Sequence, residues 1–295
     1  FYKEVKPKGV TMTALLINRP ALIMLSNIDR LYVDYHSNKW QLVLGRQRIN
    51  WGKNLVWNPN DLFNAYSFFD FDYEERPGTD ALRAKYFTSG NSSLEIAINY
   101  TDEWKNNTVA IKYNFNKFQY DFQMIVAKYL ENYTLGLGWE GVIKDMGFKG
   151  ELSYFMPYGN SIEDNAFVGS ISFDYYFKND ISLNVSTLYN SDGISNTNAY
   201  DTSQLYSESI DVKHLMPNKW SFFGQASKTF TPAIAGSIAS IYAADIDMVF
   251  FMPQFTYSIS QNWDFDVTGQ LYYGKQEEQF SNLGNSVYLR FRYSF

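Results

Sequence analysis

The chain has 295 residues, 45% of them hydrophobic and 19% aromatic (24 Tyr, 24 Phe, 7 Trp), with no cysteine and a formal net charge of −6. That composition excludes a disulfide framework or thiolate metal site and leaves no basic footprint for nucleic acid. The longest apolar runs, ALIML at 21–25 and MVFFMP at 248–253, fall far short of the roughly 20 residues a membrane helix requires.

In chain order, the opening FYKEVKPKG has no apolar leader core and reads as a mature or trimmed chain. Residues 9–25 alternate poorly and carry Arg19-Pro20. From Ile28 onward, period-two alternation takes over, which is the signature of strands. Strands are expected over 28–36, the stretch beginning at Trp40, the stretch between the 50–81 loop and the 88–92 turn, 93–100, 107–115, 118–129, 133–142, 146–156 and 166–177. Further along, NDISLNVSTLYN sets Ile181, Leu183 and Val185 against Ser182, Asn184 and Ser186. NWDFDVTGQLYYG sets Trp263, Phe265 and Val267 against Asp264, Asp266 and Thr268. The final SVYLRFRYSF puts Val287, Leu289, Phe291, Tyr293 and Phe295 on one side, with Arg290 and Arg292 on the other.

The connections sort by length. Tight turns are expected at 36–38, 88–92, 115–118, 144–146, 178–180, 216–218 and 260–262. Long ones are expected at 50–81, 101–107, 191–203, 231–246 and 274–284, with 157–164 of medium length and LENY as a short exception. Short turns on one rim and long loops on the other, with strands of about ten residues, describe a bacterial outer-membrane barrel. Only a closed barrel lets strands satisfy every backbone group in lipid. The expected fold is therefore all-β: a single antiparallel up-and-down transmembrane β-barrel over 1–295. Fifteen strands count back to 28–36, and 9–25 must supply a sixteenth, giving a range of 14–16. The soluble alternative, a sandwich filled by its aromatics, does not account for charges recurring on one face of nearly every strand. Trp40, Tyr100, Tyr113, Phe115, Phe118, Trp139, Phe177, Trp220, Trp263 and Phe295 suit an interfacial aromatic girdle.

Two stretches carry a family resemblance. The C-terminal YLRFRYSF resembles the strand recognised by the barrel-assembly machinery of Gram-negative bacteria, with Phe291, Tyr293 and Phe295 as its aromatic row. Residues 28–87 resemble porin-like outer-membrane proteins, especially of Bacteroidota, through Gly45, Arg46, Gln47, Trp51, Gly52, Asn58 and Pro59. The resemblance implies a passive pore in an outer membrane. It also implies contact with lipid and lipopolysaccharide and dependence on the assembly machinery for insertion. A homo-oligomer or a union with other outer-membrane subunits stays open.

With Trp40, Leu42 and Leu44 outward, strict alternation sends Arg46 and Arg48 into lipid, at about 2–4 kcal/mol for a midplane charge. A bulge near Gly45 is expected to turn Arg46, Arg48 and Asn50 into the lumen; snorkelling at the rim is the alternative. The 50–81 loop is too long to be inert. It carries Trp51, Trp57, Phe63 and other aromatics beside Asp70, Asp72, Glu74, Glu75 and Asp80. We expect it to fold into the lumen, its carboxylates opposing Arg46, Arg48, Arg83 and Lys85 across a constriction. A cap over the outer mouth is the competing arrangement. GLGWEG (136–141) reads as small residues that let the inner wall approach another element.

No catalytic constellation emerges. His36 and His214 fall near expected periplasmic turns, and acidic pairs such as Asp70/Asp72 and Glu277-Glu278 lack EF-hand spacing. No cofactor or metal is expected, and the chain is not read as an enzyme. Inward charges are expected to pair across strands, Arg290 and Arg292 with Asp264 or Asp266. The leading reading is porin-like diffusion of small hydrophilic solutes past the 50–81 loop. The runner-up is a plugged barrel serving as a structural or docking subunit.

Overall fold

The computed structural model describes residues 10, 12–19, 22–65, 78–159, 164–195, 211–276 and 279–295. Its strands are β1 (Thr13–Arg19), β2 (Leu22–Asn27), β3 (Leu31–His36), β4 (Trp40–Gln47), β5 (Thr79–Ser89) and β6 (Ser92–Asn99). Then come β7 (Thr108–Lys117), β8 (Tyr120–Tyr129), β9 (Asn132–Ile143), β10 (Met146–Pro157), β11 (Ala166–Tyr176) and β12 (Ile181–Asn190). The last are β13 (Trp220–Thr231), β14 (Ile234–Ala243), β15 (Met248–Ser260), β16 (Trp263–Gln276) and β17 (Gln279–Tyr293). β3 to β17 form one 15-stranded sheet in which each strand pairs antiparallel with its sequence neighbour. This is the up-and-down order expected of a barrel.

The strands are inside-out relative to a water-soluble protein. β6 exposes Leu94, Ile96 and Ile98 while burying Ser93, Glu95 and Ala97. β9 exposes Tyr133, Leu135 and Leu137 while burying Asn132 and Thr134. Lipid accounts for such a surface and water does not, because burying the polar row in preference to the apolar one forfeits the hydrophobic effect. Aromatic rings pair along both rims of the outer face. Trp40 meets Tyr86 at 4.7 Å, and Trp263 meets Tyr293 at 5.0 Å, beside the short turns. On the other rim Tyr189 meets Trp220 at 4.7 Å, and Tyr133 meets Tyr158 at 4.9 Å. Two such belts mark the two headgroup levels.

One rim carries only the tight connections 37–39, 90–91, 118–119, 144–145, 177–180, 232–233 and 261–262. The opposite rim carries 48–78, 100–107, 158–165 and 191–219, together with the short 130–131 and 244–247. Four expectations fail in detail. The 231–246 stretch is not a long loop: it contains β14, whose rows are both apolar (Ala239, Ile241 and Ala243 inward, Ile238 and Tyr242 outward), so polarity contrast is weak. The 274–284 stretch is not a loop either, because the β16–β17 ladder continues to Gln276↔Gln279, carrying polar strand ends beyond the apolar band. Met216–Asn218 is no tight turn between strands: the described residues before it, 211–215, form no strand, and β12 pairs directly with β13. The sixteenth strand expected from 9–25 does not join the sheet. β1 and β2 pair with each other, with a register irregularity between Leu15 and Ile17.

Inward-facing residues include a buried apolar set toward the long-loop rim: Tyr129, Phe155, Val168, Leu188, Phe223, Ile241 and Phe250. They join one cluster with Val56, Trp57 and Leu62 of the first long connection and Val212, Leu215 and Met216 of another. The interior is thus packed by loops that enter it.

Candidate functional site

The described first part of the long connection that leaves β4, residues 48–65, lies against the inner wall. Ile49, Trp51, Val56, Trp57, Asn60, Asp61 and Leu62 are all buried. Trp51 Nε1 donates to Glu95 Oε1 on β6 at 2.8 Å, and Gln123 Nε2 on β8 donates to Trp51 O at 2.9 Å. Asn60 Nδ2 donates to Leu137 O on β9 at 2.8 Å; Ser153 Oγ on β10 donates to Asn60 Oδ1 at 2.8 Å. Asn54 bonds Ser170 and Ser172 on β11, and the ring of Trp57 meets Phe223 of β13 edge-on at 6.2 Å. Laid flat, β6 and β13 are roughly 34 Å apart at strand spacing. The six Cα–Cα steps from Trp51 to Trp57 span at most about 22 Å, so the backbone of the segment does not bridge a flat sheet; the sheet curls around it.

Close approach is built into the wall. A Cβ on Gly136 would lie 2.6 Å from Asn60 Oδ1 and 3.0 Å from Ile125 Cβ, so only glycine leaves room for Asn60 there. This is the approach of wall to another element expected for the GLGWEG stretch. Beneath the segment lies a cavity of about 680 Å³, bounded by Lys53, Lys85, Lys112, Gln123 and Glu140 and reaching the 90–91 turn.

Charges on the wall pair across neighbouring strands. Lys112 Nζ is 3.6 Å from Glu95, and Arg83 Nη1 is 4.0 Å from the same carboxylate. Lys112 also sits over the Trp51 ring at 4.7 Å. Lys149 bridges Glu140 at 3.1 Å and Asp174 at 3.8 Å. Near the C-terminus Arg290 Nη2 meets Asp266 at 2.9 Å, and Arg292 Nε lies 3.6 Å from Asp264. Lys85 faces Glu95 in the β5–β6 register and lies 5.0 Å from the Phe87 ring.

Arg46 departs from expectation. Both ladders of β4 pass Gly45 without a register shift (Tyr32↔Gly45, Gly45↔Ala81), so there is no bulge. Gly45 instead takes φ +121°, a conformation L side chains avoid. Arg46 stays in the outward row, opposite Asp80, which neutralises it with two hydrogen bonds of 2.9 and 2.8 Å. Its remaining donors go to Ile28 O at 3.1 Å and Val10 O at 2.5 Å, so the chain flanking the β1–β2 hairpin covers the pair. Arg48 lies beyond the end of β4, half-buried where the chain turns inward. Asp70, Asp72, Glu74 and Glu75 lie outside the described residues. Arg46 and Arg83 have wall carboxylates as partners. Phe291, Tyr293 and Phe295 are exposed on the outer face, with Phe291 against Phe265 at 4.7 Å.

The histidines separate. His36 is at a short turn, 3.1 Å from Asp34, but His214 lies on the long-loop rim rather than at a short turn. His214 Nδ1 is 3.3 Å from Asp211 and Nε2 is 3.5 Å from Asp192, with Lys213 Nζ 3.4 Å from Asp192. Hydrogen bonding to Asp211 raises the His214 pKa against the opposing effect of burial. Burial works to raise Asp211, but the hydrogen bonds and charge of His214 outweigh it and hold the carboxyl below its usual range.

Residues that sequence reasoning missed are the loop amides Asn54 and Asn60 and the role of Glu151. A recurrence of Asn at 54, 58, 60 and 64 among aromatics was the available signal, since buried amides need partners.

The inside-out strands and the infolded segment set the context for comparison with known proteins. No protein-family model matches the chain, and no curated protein does. Among solved structures, Acinetobacter baumannii OccAB4 superposes with a TM-score of 0.59 at 11% identity, covering 89% of this chain and 73% of that one. Pseudomonas aeruginosa OccK11 (OpdR) gives 0.58 at 9% identity over 93% and 82%. Pseudomonas aeruginosa OprD gives 0.55 at 8% identity over 85% and 75%. The fold is that of an outer-membrane β-barrel porin. At these identities the likeness concerns the fold, and the side chains that line this interior are this chain's own.

Proposed function

We propose that this chain is an outer-membrane channel for passive diffusion of small hydrophilic solutes, restricted by the 50–81 loop, and is not an enzyme. The observation that carries the reading is the seating of the loop's first part inside the barrel, bonded to β6, β8, β9, β10 and β11. A strand number of this order gives a barrel wide enough for a channel. An infolded loop is what narrows it. Arg48, Arg83 and Lys85 are proposed to line the path with Asp70, Asp72, Glu74 and Glu75, and Arg46 to hold the loop's root at the rim. Asp264, Asp266, Arg290 and Arg292 stiffen the wall near the closing strand. In this reading the outer face meets lipid and lipopolysaccharide. The row Phe291, Tyr293 and Phe295 presents the closing strand to the barrel-assembly machinery of a Gram-negative, Bacteroidota-type cell.

The test is conductance of the purified protein in planar bilayers, before and after deletion of 60–78. Conductance that increases on deletion supports the restricted channel. A second reading, a plugged barrel used as a structural or docking subunit, is favoured by the apolar cluster that Val56, Trp57 and Leu62 share with Val212, Leu215 and Met216. Silence of both forms overturns diffusion and supports that alternative.

A further inference from the structure

The inner wall of β10 carries a carboxylate whose partners are not cations. Glu151 is fully buried, opposite Gly138 on β9 and Ser170 on β11. Both of its oxygens point at the backbone of the infolded segment. Oε1 accepts the N–H groups of Lys53 and Asn54, the latter at 3.1 Å, and Oε2 accepts the N–H of Asn60 at 2.9 Å. These amides belong to the two ends of the turn 53–60. The turn is closed on itself by Asn58 Oδ1, which also accepts the Asn54 N–H at 2.9 Å.

Backbone N–H groups converging on one point form an anion-binding concavity. Here the wall supplies the acceptor. Three N–H donors shared between the two oxygens of one carboxyl group fix both distance and orientation. The other wall contacts of the turn, from Ser153, Ser170 and Ser172, are neutral, and the Lys53–Glu140 ion pair at 3.4 Å is half-exposed.

We propose that Glu151 is the positioning residue of the restricting loop: its carboxylate gathers the amides of Lys53, Asn54 and Asn60, and this sets how far the loop stands from β10. The inference rests on the channel reading for its consequence, but its geometry can be tested separately. The natural chain has no cysteine, so Val56→Cys places a single thiol on a loop residue that is buried at 2% exposure. In purified, lipid-reconstituted protein, the thiol should resist a maleimide reagent. Combined with Glu151→Ala it should react, and the conductance of Glu151→Ala alone should rise toward that of the chain lacking 60–78. Glu151→Gln keeps the shape and one acceptor oxygen but turns an NH2 toward an N–H. It should give intermediate labelling and serves if the alanine variant fails to fold.

A purely structural Glu151 would lower the unfolding temperature and move neither labelling nor conductance; that result would overturn the proposal. So would a glutamine variant as protected as the parent. If the parent protein does not conduct, the channel reading fails on its own. Labelling still decides whether Glu151 holds the loop.

Discussion

Arg46 and Asp80 face each other across the β4–β5 ladder and are joined twice, Nε to Oδ1 at 2.9 Å and Nη2 to Oδ2 at 2.8 Å, with both side chains buried. Removing one partner leaves the other charge unpaired, so Arg46→Met or Asp80→Asn should each destabilise by about 3–5 kcal/mol. Replacing both with apolar residues should recover most of that loss. Denaturant unfolding in lipid vesicles measures it. Because Asp80 Oδ2 also accepts the Val10 N–H at 2.9 Å, Asp80→Asn should in addition render residues 10–30 sensitive to protease.

Gly136→Val should push Asn60 off the wall. The new side chain begins 2.6 Å from Asn60 Oδ1, and overpacking of this kind costs about 1–3 kcal/mol. The bonds from Asn60 to Leu137 O and from Ser153 should be lost together. Protease cleavage within 53–65 of the folded protein reports the release; an uncleaved loop would contradict the wall-contact account.

Trp51→Phe keeps a ring beneath Lys112 and beside Phe63 but removes the donor to Glu95. Glu95 retains Lys112 at Oε2 and Arg83 near Oε1, so the loss should be that of one buried hydrogen bond to a charged group, about 1.5–3 kcal/mol. Trp51→Ala should cost more, since the packing goes with the bond.

The Asp192–His214–Asp211 corner should respond to pH. The folded pKa of His214 is raised above its ordinary value near 6.5, so its contribution is complete below that value and is lost as pH climbs through the raised folded value. Asp211 is held low, so its contribution is present above about pH 3.9 and is lost as pH falls through its depressed value. The corner should be tightest between those limits. In a His36→Gln background the chain keeps one histidine, and its ring titration by NMR should lie above that of a free imidazole. Asp211→Asn should bring it down; an unmoved titration would remove Asp211 as the cause.

Legibility of the sequence varied with the contrast each row offers. β6 and β9 were plain because Leu94, Ile96 and Ile98 alternate with Ser93, Glu95 and Ala97, and a strand has no other way to separate them. β14 was hidden because Ile and Ser occur on both its rows, with Ala on one and Gly236 on the other, so little distinguishes lipid from packed interior. The polar ends of β16 and β17 resembled a loop because strands that rise out of the apolar band no longer need apolar outward residues. The seating of residues 49–64 on the inner wall agrees with Trp51, Trp57 and Phe63, aromatics that water would not retain, while the docking of the 53–60 turn on Glu151 had no signal in the sequence.

Period-two patterning by itself determined that this chain is a sheet with one lipid face, and which residues stand on that face, because strand geometry sends neighbours to opposite sides. It also determined that the inward charges meet across strands: Arg290 and Asp266 are directly opposed once the ladder forms. Only the tertiary structure decided that Glu151 would find backbone amides rather than a cation, and that Arg46 would keep its outward place under cover of Val10 and Ile28. The Glu151 contact joins residues 97 positions apart in sequence. It exists because the sheet curls, and curvature is a property of all the ladders together rather than of any one stretch.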